Sequence, residues 1–257
     1  MSEFRRRIMM GKKSIPANVI RFEDPAVKQI CVENFGGLNG ITNSIYGTVG
    51  VSGVAGEVTI EQAAAVVNFN KIFLDCTSKN LNDIRHFVNI SKGELGLNYA
   101  CEEITVNMST VPSSWCAGDS SGKYALKKIT FGDNVVSVLL AAFCYIYNKK
   151  VEVILNEGLK TMPSNFQFLN TLGTKPLVLP STLTTLGSKT FGNILCSAII
   201  SRAVSPPVLG GSIFNLNSSN TSILIYVPDE SVEAYKSANI WSSYATRIRP
   251  LSEYVEP

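Results

Sequence analysis

The sequence predicts an α+β fold in which a small N-terminal helical module precedes a solenoid of short-strand repeats with a C-terminal helical cap. Three observations predict it: two early helix-start signals, a later repeat of about 24 residues, and a final repeat that departs from this period. We expect a flexible basic arm over residues 1–19, the helical module over 20–95, and the solenoid over 96–257, with its cap at about 228–257.

The amino-acid composition argues against several classes of function. The chain of 257 residues is 45% hydrophobic and 17% charged, which excludes a disordered chain. With 23 basic and 20 acidic residues the net charge is only +3, which argues against nucleic acid as a partner. The single histidine, His86, argues against most metal sites and most histidine-based catalysis. The composition therefore favours a protein that is not an enzyme.

The N-terminal arm is basic and shows no secretory signal. It carries Arg5, Arg6, Arg7, Lys12 and Lys13, with no apolar stretch of roughly 7 to 15 residues after them. We expect a solvated tail, or a tail that docks to an acidic partner. No transmembrane segment is predicted, because the longest apolar run falls short of the roughly 20 residues that a membrane span needs.

The cysteines are scattered and contain no Cys-x-x-Cys pair, so the sequence predicts neither a zinc site nor a redox motif. They are Cys31, Cys76, Cys101, Cys116, Cys144 and Cys196. We expect buried free thiols in small core positions. A disulfide stays open as an alternative, since the chain could be exported by a route that its N-terminus does not show.

Two local signals predict the helices of the N-terminal module. Asp24 followed by Pro25 is typical of a helix start, and the apolar stripe after it ends near Gly36. The glycine-rich stretch 36–56 predicts a long loop or a weak hairpin. The sequence Thr59–Gln62 then fits a capping box at the start of a second helix.

The rest of the chain repeats at a constant spacing of 24 residues. The apolar anchors are Phe131, Leu155, Leu179, Ala203 and Val227, and two residues before them stand Ile129, Val153, Leu177, Ser201 and Ile225. An earlier pair, Ile104 and Val106, begins the series, with Val111 and Trp115 at the later positions. A third column consists of Phe143, Phe166, Phe191 and Phe214. Such units bury their apolar sides only by stacking, so each strand should pair with the next in a parallel ladder.

The last repeat differs from the others and predicts a cap. After Val227, the residues 229–231 fit the start of a short helix. Trp241, Tyr244 and Ile248 then provide bulk that could cover the exposed end of the core.

These segments resemble a known family. They are similar to BspA-type leucine-rich repeats of gut and oral anaerobic bacteria. The resemblance is found in the repeat Leu177–Phe191, in the step Ser205-Pro206-Pro207 and in the ending Ile225–Lys236 with Trp241. The resemblance extends over roughly 104–251. It implies a leucine-rich-repeat solenoid that acts in adhesion or protein binding and has no catalytic activity. It also implies that the protein lies at the cell surface or is exported.

The N-terminal part resembles a module that precedes such repeats, over 22–34 and 61–66. In that module the intervening loop looks like a degenerate EF-hand. Here the stretch 36–56 contains no aspartate or glutamate, so a calcium site would lack its ligands.

One short segment matches a sequence motif of hydrolases. Gly118–Gly122 matches G-x-S-x-G around Ser120, but no histidine follows it, and the only aspartate between His86 and Ser120 is the adjacent Asp119. Ser120 and Lys123 also fit S-x-x-K, although the intervening glycine weakens the required helical turn. The sequence therefore predicts no catalytic residue, no metal ligand and no cofactor, and His86 is interpreted as structural or exposed.

Side chains that alternate with the inward ones should face solvent, and along the ladder they change from polar to apolar. The candidate protein-binding strip is Ile154, Val178, Ile200, Arg202, Leu224 and Tyr226. It would recognise a host or bacterial protein or a second copy of the chain. The alternative is that β propensity alone placed these residues, or that a neighbouring loop covers them.

Two function classes follow. The first is a non-catalytic protein-binding or adhesion protein, at a bacterial surface or exported. The second is a structural or assembly component that docks to a larger particle through the basic arm.

Overall fold

The computed structural model describes residues 16–41, 43–47, 50–116, 124–143, 151–164, 175–192, 194, 196–213 and 223–256. They form a mixed α/β fold with few helices and with parallel sheets. In the described part of the chain, no helix is long and apolar enough to cross a membrane.

The predicted helix starts of the N-terminal part are confirmed. Helix α1 (Pro25–Phe35) begins after Asp24, whose side chain accepts hydrogen bonds from the N–H groups of Ala26 and Val27. Helix α2 (Ile60–Ala65) begins with the complete capping box between Thr59 and Gln62.

The stretch between these helices is irregular. An isolated antiparallel bridge joins Gly47 to Val66. At Gly40, which has a φ of +61°, a Cβ atom would lie 1.3 Å from the carbonyl oxygen of Val51. Only glycine fits this close approach, which explains one of the many glycines of the loop.

A buried carboxylate joins this part to the next element. Asp83 lies in a short 3₁₀ helix (Asn82–His86) and accepts hydrogen bonds from the N–H groups of Glu23 and Asp24 at 2.9 to 3.0 Å. Because the partners lie about sixty residues apart in the chain, local sequence patterns did not predict this link.

The strands are short. In chain order they are β1 (Asn80–Leu81), β2 (Glu103–Val106), β3 (Thr110–Val111), β4 (Lys128–Phe131), β5 (Ser137–Val138), β6 (Glu152–Ile154), β7 (Thr161–Met162), β8 (Leu177–Leu179), β9 (Thr185–Leu186), β10 (Ala198–Ser201), β11 (Val208–Leu209), β12 (Leu224–Val227) and β13 (Ile248–Pro250).

All pairs among these strands are parallel, and they form three sheets. The first sheet has the order β1-β2-β4-β6, and the second has the order β8-β10-β12-β13. Together these two contain the strands that the 24-residue period predicted, and we call them the anchor ladder. The third sheet, β3-β5-β7-β9-β11, was not predicted, and we call it the second ladder.

The anchor ladder departs from the predicted register at one strand. Ile129 pairs with Val153 at the expected spacing, but Leu179 pairs with Ser201, 22 residues later, instead of with Ala203. The prediction of Ala203 as an anchor is therefore wrong. Because the shift is by two residues, the alternation of inward and outward side chains is unchanged, and Ser201 is fully buried.

The core lies between the ladders. Inward residues of the second ladder are buried and include Val138, Met162 and Leu186. Trp115 and Phe143 pack edge to face with ring centroids 6.1 Å apart, and Phe191 is also buried. The other two members of the predicted phenylalanine column, Phe166 and Phe214, lie outside the described residues.

The C-terminal elements close the ends of the ladders. They are a 3₁₀ helix (Asp229–Ser231), helix α3 (Val232–Ser237), a second 3₁₀ helix (Trp241–Arg247) and the edge strand β13. Trp241, Tyr244 and Ile248 are buried as predicted. The short helix predicted to start at 229–231 is confirmed, but these side chains do not cap it. Ser231 makes no side-chain capping bond, and Asp229 instead accepts a hydrogen bond from the N–H of Ser252 at 3.0 Å.

The cysteines in the described residues are buried free thiols, as predicted: Cys31, Cys76, Cys101, Cys116 and Cys196. Cys144 lies outside the described residues. Burial raises the pKa of Cys101 to about 12 and that of Cys196 to about 11. These thiols therefore stay protonated near neutral pH and are poor nucleophiles.

Candidate binding site

The predicted strip lies on the outward face of the anchor ladder. Val178, Ile200 and Tyr226 occupy one row across β8, β10 and β12, while Leu224 pairs with Ala198 in the next row. Ile154 lies on β6 in register with the outward residue Thr130 of β4. The strip is therefore divided between two sheets, with Ile154 on one and the remaining residues on or beside the other.

Exposure is uneven along the strip. Ile154 is 41% exposed, and Arg202, just after β10, is also exposed. Val178, Leu224 and Tyr226 are half-buried. Ile200 is only 8% exposed, so its prediction as an accessible binding residue is wrong.

The C-terminal segment accounts for part of this coverage. The ring of Tyr254 packs against that of Tyr226 with centroids 5.0 Å apart, and Glu256 reaches the neighbourhood of Val178 and Arg202. Sequence reasoning missed both Tyr254 and Glu256, because nothing in a terminal segment indicates which outward face it will cover. The exposed members of the strip are therefore Ile154 and Arg202.

A cleft of about 410 Å³ opens between β6 and β8. Its walls are the edges of these strands, including Val153, Ile154 and Val178, and Lys175, Arg202 and Glu256 lie around it. A volume of this size falls within the range of roughly 300 to 1,000 Å³ that is usual for ligand pockets. Three residues of the strip, Ile154, Val178 and Arg202, line the cleft, so we treat the strip and the cleft as one candidate site.

Ion pairs fix the charged groups beside the cleft. The Lys175 ammonium lies 2.7 Å from a Glu152 carboxylate oxygen, and the Arg202 guanidinium lies 2.8 Å from a Glu157 carboxylate oxygen. Both pairs are substantially exposed to solvent, so each is worth at most about 1 kcal/mol. Their role is to hold side chains in place around the opening.

Glu157 also holds the turn that follows β8. Its carboxylate accepts hydrogen bonds from the backbone N–H of Ser181 at 2.7 Å and from the Ser181 hydroxyl at 2.8 Å. Burial alone would raise the pKa of Glu157, but the hydrogen bonds from Arg202 and Ser181 outweigh it, so the pKa lies below its usual value of 4.5.

The residues that could suggest catalysis are separate from this site. The G-x-S-x-G segment with Ser120, and Lys123 after it, lie outside the described residues. His86 is half-buried, and its Nε2 atom has no hydrogen-bond partner in the described structure. Burial and then the charge of Arg85 lower its pKa below 6.5, so the imidazole is neutral at pH 7. Within the described ranges, no group of three or more potential ligand residues could hold a metal ion.

Comparisons with known proteins add no assignment. No family model matches this chain. A search of curated proteins finds no match either.

Proposed function

We propose that this chain is a non-catalytic protein-binding protein, built as a leucine-rich-repeat solenoid of the BspA type behind a small N-terminal helical module. The support for the solenoid is the parallel pairing of strands from successive repeats, in two ladders, with the repeated apolar residues inward. The support for the module is the pair of capped helices before the first strand.

One observation carries the functional part of the proposal. Ile154 is exposed on the outward face of β6, where the preceding strands have Thr105 and Thr130 in the same row. Apolar residues that border a cleft and remain accessible are typical of protein-binding surfaces. We infer adhesion or protein recognition at this position, with a host or bacterial protein as the partner.

A pair of matched variants tests this proposal. Ile154→Asp places a charge at the open part of the strip, and Val208→Asp places the same charge on the outward side of the second ladder, where Val208 is 69% exposed. Both proteins should fold, since neither residue is buried. We expect proteins captured from epithelial-cell and bacterial-envelope extracts by the wild type to be retained by Val208→Asp and lost by Ile154→Asp.

The same comparison is made for self-association by light scattering. The proposal is wrong if Ile154→Asp captures the same proteins as the wild type and also has the same oligomeric state. Docking through the basic arm stays a prediction of the sequence, because residues 1–15 lie outside the described structure.

A further inference from the structure

The cleft between β6 and β8 is an interruption of the anchor ladder. Strands β4 and β6 pair on one side of it, and β8 and β10 pair on the other. Between the described residues of β6 and β8 themselves, no strand pairing and no backbone hydrogen bond is made. Each of these strands therefore has one free edge inside the body of the protein.

The backbone groups that face the cleft follow from the bonds on the other sides. Glu152 donates its N–H to the carbonyl oxygen of Lys127 in the direction of β4, so the N–H and C=O groups of Val153 point toward the cleft. Across it, the carbonyl oxygen of Leu179 accepts the N–H of Arg202 in the direction of β10, which turns the N–H and C=O groups of Val178 toward β6.

A proline explains why the ladder opens here. Pro176 stands 24 residues after Glu152, at the position whose N–H would donate to β6 as Glu152 donates to Lys127. Proline has no N–H, so the first bond of this pairing is impossible. The strand after it still pairs with β10, which shows that the missing N–H affects only the edge that faces β6.

Other contacts hold the two edges near each other. On the opposite side of the core, β7 pairs with β9, so the second ladder continues across the same pair of repeats. On the cleft side, the Glu152–Lys175 ion pair connects residues from the two repeats at 2.7 Å. The gap between β6 and β8 is therefore limited in width. On its two sides lie the backbone N–H and C=O groups of Val153 and Val178, which form none of the described hydrogen bonds.

We propose that this cleft binds an extended peptide segment of a partner protein, which adds a strand at the free edges of β6 and β8. This inference rests on the proposed protein-binding function and specifies how the partner is recognised. Main-chain hydrogen bonds to Val153 and Val178 would provide affinity, and contact with Ile154 would favour an apolar, β-branched side chain.

Charge further specifies the peptide. Glu152 and Arg202 at the cleft are engaged in ion pairs, with Lys175 and Glu157 respectively. The remaining charged residue that lines the cleft is Glu256, which is exposed and forms none of the described ion pairs. The complementary ligand is an otherwise uncharged strand with one basic residue near Glu256.

A probe with the sequence acetyl-Lys-Val-Thr-Val-Thr-Gly-Cys-amide, labelled with fluorescein on the cysteine so that the lysine keeps its charge, tests this mode of binding on the full chain. Its control is the same peptide N-methylated at the threonine between the two valines, which keeps every side chain but cannot donate that backbone hydrogen bond. We expect fluorescence anisotropy to show binding of the probe and at least about tenfold weaker binding of the methylated peptide. Equal affinity for the two peptides, or no binding of the probe, would overturn strand addition.

A variant of the protein gives the second measurement. Pro176→Val restores the missing N–H and should allow β8 to pair with β6, so probe binding should fall at least about tenfold while cooperative unfolding is kept. Pro206→Val, which changes a proline away from the cleft, is the matched control and should leave probe binding unchanged. Full probe binding by a folded Pro176→Val protein contradicts the proposal.

The two proposals fail in different ways. If Ile154→Asp loses its captured partners but the wild type does not bind the probe, protein binding stands and strand addition is wrong. If Ile154→Asp keeps the same captured partners and oligomeric state and the wild type does not bind the probe, both proposals are wrong.

Discussion

The two ladders of this protein both stack strands from successive segments of the chain, but only one of them is continuous. The second ladder is continuous from β3 to β11, although each of its strands has only two residues. Apart from β1, the strands of the anchor ladder are longer, with three or four residues, but this ladder is interrupted between β6 and β8. Strand length therefore does not decide whether neighbouring repeats pair.

The difference lies in the groups that each strand offers to its neighbour. In the second ladder Thr161 and Thr185 donate their N–H groups to the carbonyl oxygens of Val136 and Lys160 in the preceding repeats. Side-chain hydroxyls add to this, as in the bond from Thr182 to the carbonyl oxygen of Leu159 at 3.0 Å. In the anchor ladder the corresponding donor is absent at Pro176. The second ladder holds the repeats together, so the anchor ladder can have a gap between β6 and β8 without separating them.

The largest expected effect concerns the closure that both ladders share. The buried Trp241 donates its indole N–H to the carbonyl oxygen of Pro207, just before β11, and its ring packs on Tyr235, which bonds to Ser201 at the end of β10. We expect Trp241→Ala to lower the free energy of unfolding by about 3 to 5 kcal/mol, measured by urea denaturation.

Trp241→Phe provides the control for this variant. It keeps most of the apolar volume and loses the indole N–H. The decrease in the free energy of unfolding should therefore be smaller for Trp241→Phe than for Trp241→Ala. A loss below about 1 kcal/mol for Trp241→Ala would contradict a common closure of the two ladders.

A matched pair of valines compares the ladders directly. Val138 is buried in the second ladder, whereas Val153 is half-buried at the edge of the cleft. We expect Val138→Ala to cost about 2 kcal/mol of unfolding free energy and Val153→Ala about 1 kcal/mol or less, since less apolar surface leaves water at Val153. Equal costs in urea denaturation, or a larger cost at Val153, would show that the cleft is closed in solution.

The smallest effect concerns the ion pair beside the cleft. Because hydrogen bonds lower the pKa of Glu157 in the folded protein, its contribution to stability is present above its unfolded pKa near 4.5 and is lost as the pH falls through the lowered value. Glu157→Gln should therefore destabilise the protein by up to about 1 kcal/mol at neutral pH and by nothing once the carboxylate is protonated.

The measurement is urea denaturation of the wild type and Glu157→Gln across the acidic range. Arg202→Gln should remove the same interaction, so the double variant should cost less than the sum of the single variants. A wild-type advantage that persists after acid protonation would disprove the role of the carboxylate charge.

Local signals in the sequence were enough for the helix starts. Asp24 and Thr59 bond to groups within three residues, so the sequence contains both partners of each cap side by side. The helix predicted to start at 229–231 also forms, but Asp229 does not cap it and bonds instead to a distant partner, Ser252. The 24-residue period predicted most inward residues, but it did not predict the register at Ser201 or the strands of the second ladder.

The candidate site was predicted only in part. The alternation of side chains placed Ile154 and Val178 on the outward face, and the structure puts both of them at the cleft. Coverage by a neighbouring segment was one of two alternatives, and the sequence did not indicate that Tyr254 would cover Tyr226 or that Ile200 would be buried. Pro176 is visible in the sequence, but its effect depends on which strand lies opposite.

The sequence by itself determined the inward pattern of the repeats, the starts of the first two helices and the lack of charge on the core-facing positions. These features depend on each residue's own hydrophobicity and on hydrogen bonds to close neighbours in the chain. Only the tertiary structure decided which strand edges pair, where the anchor ladder opens and which outward residues remain accessible. Those outcomes depend on donors, acceptors and covering side chains from distant segments, which meet only when the chain has folded.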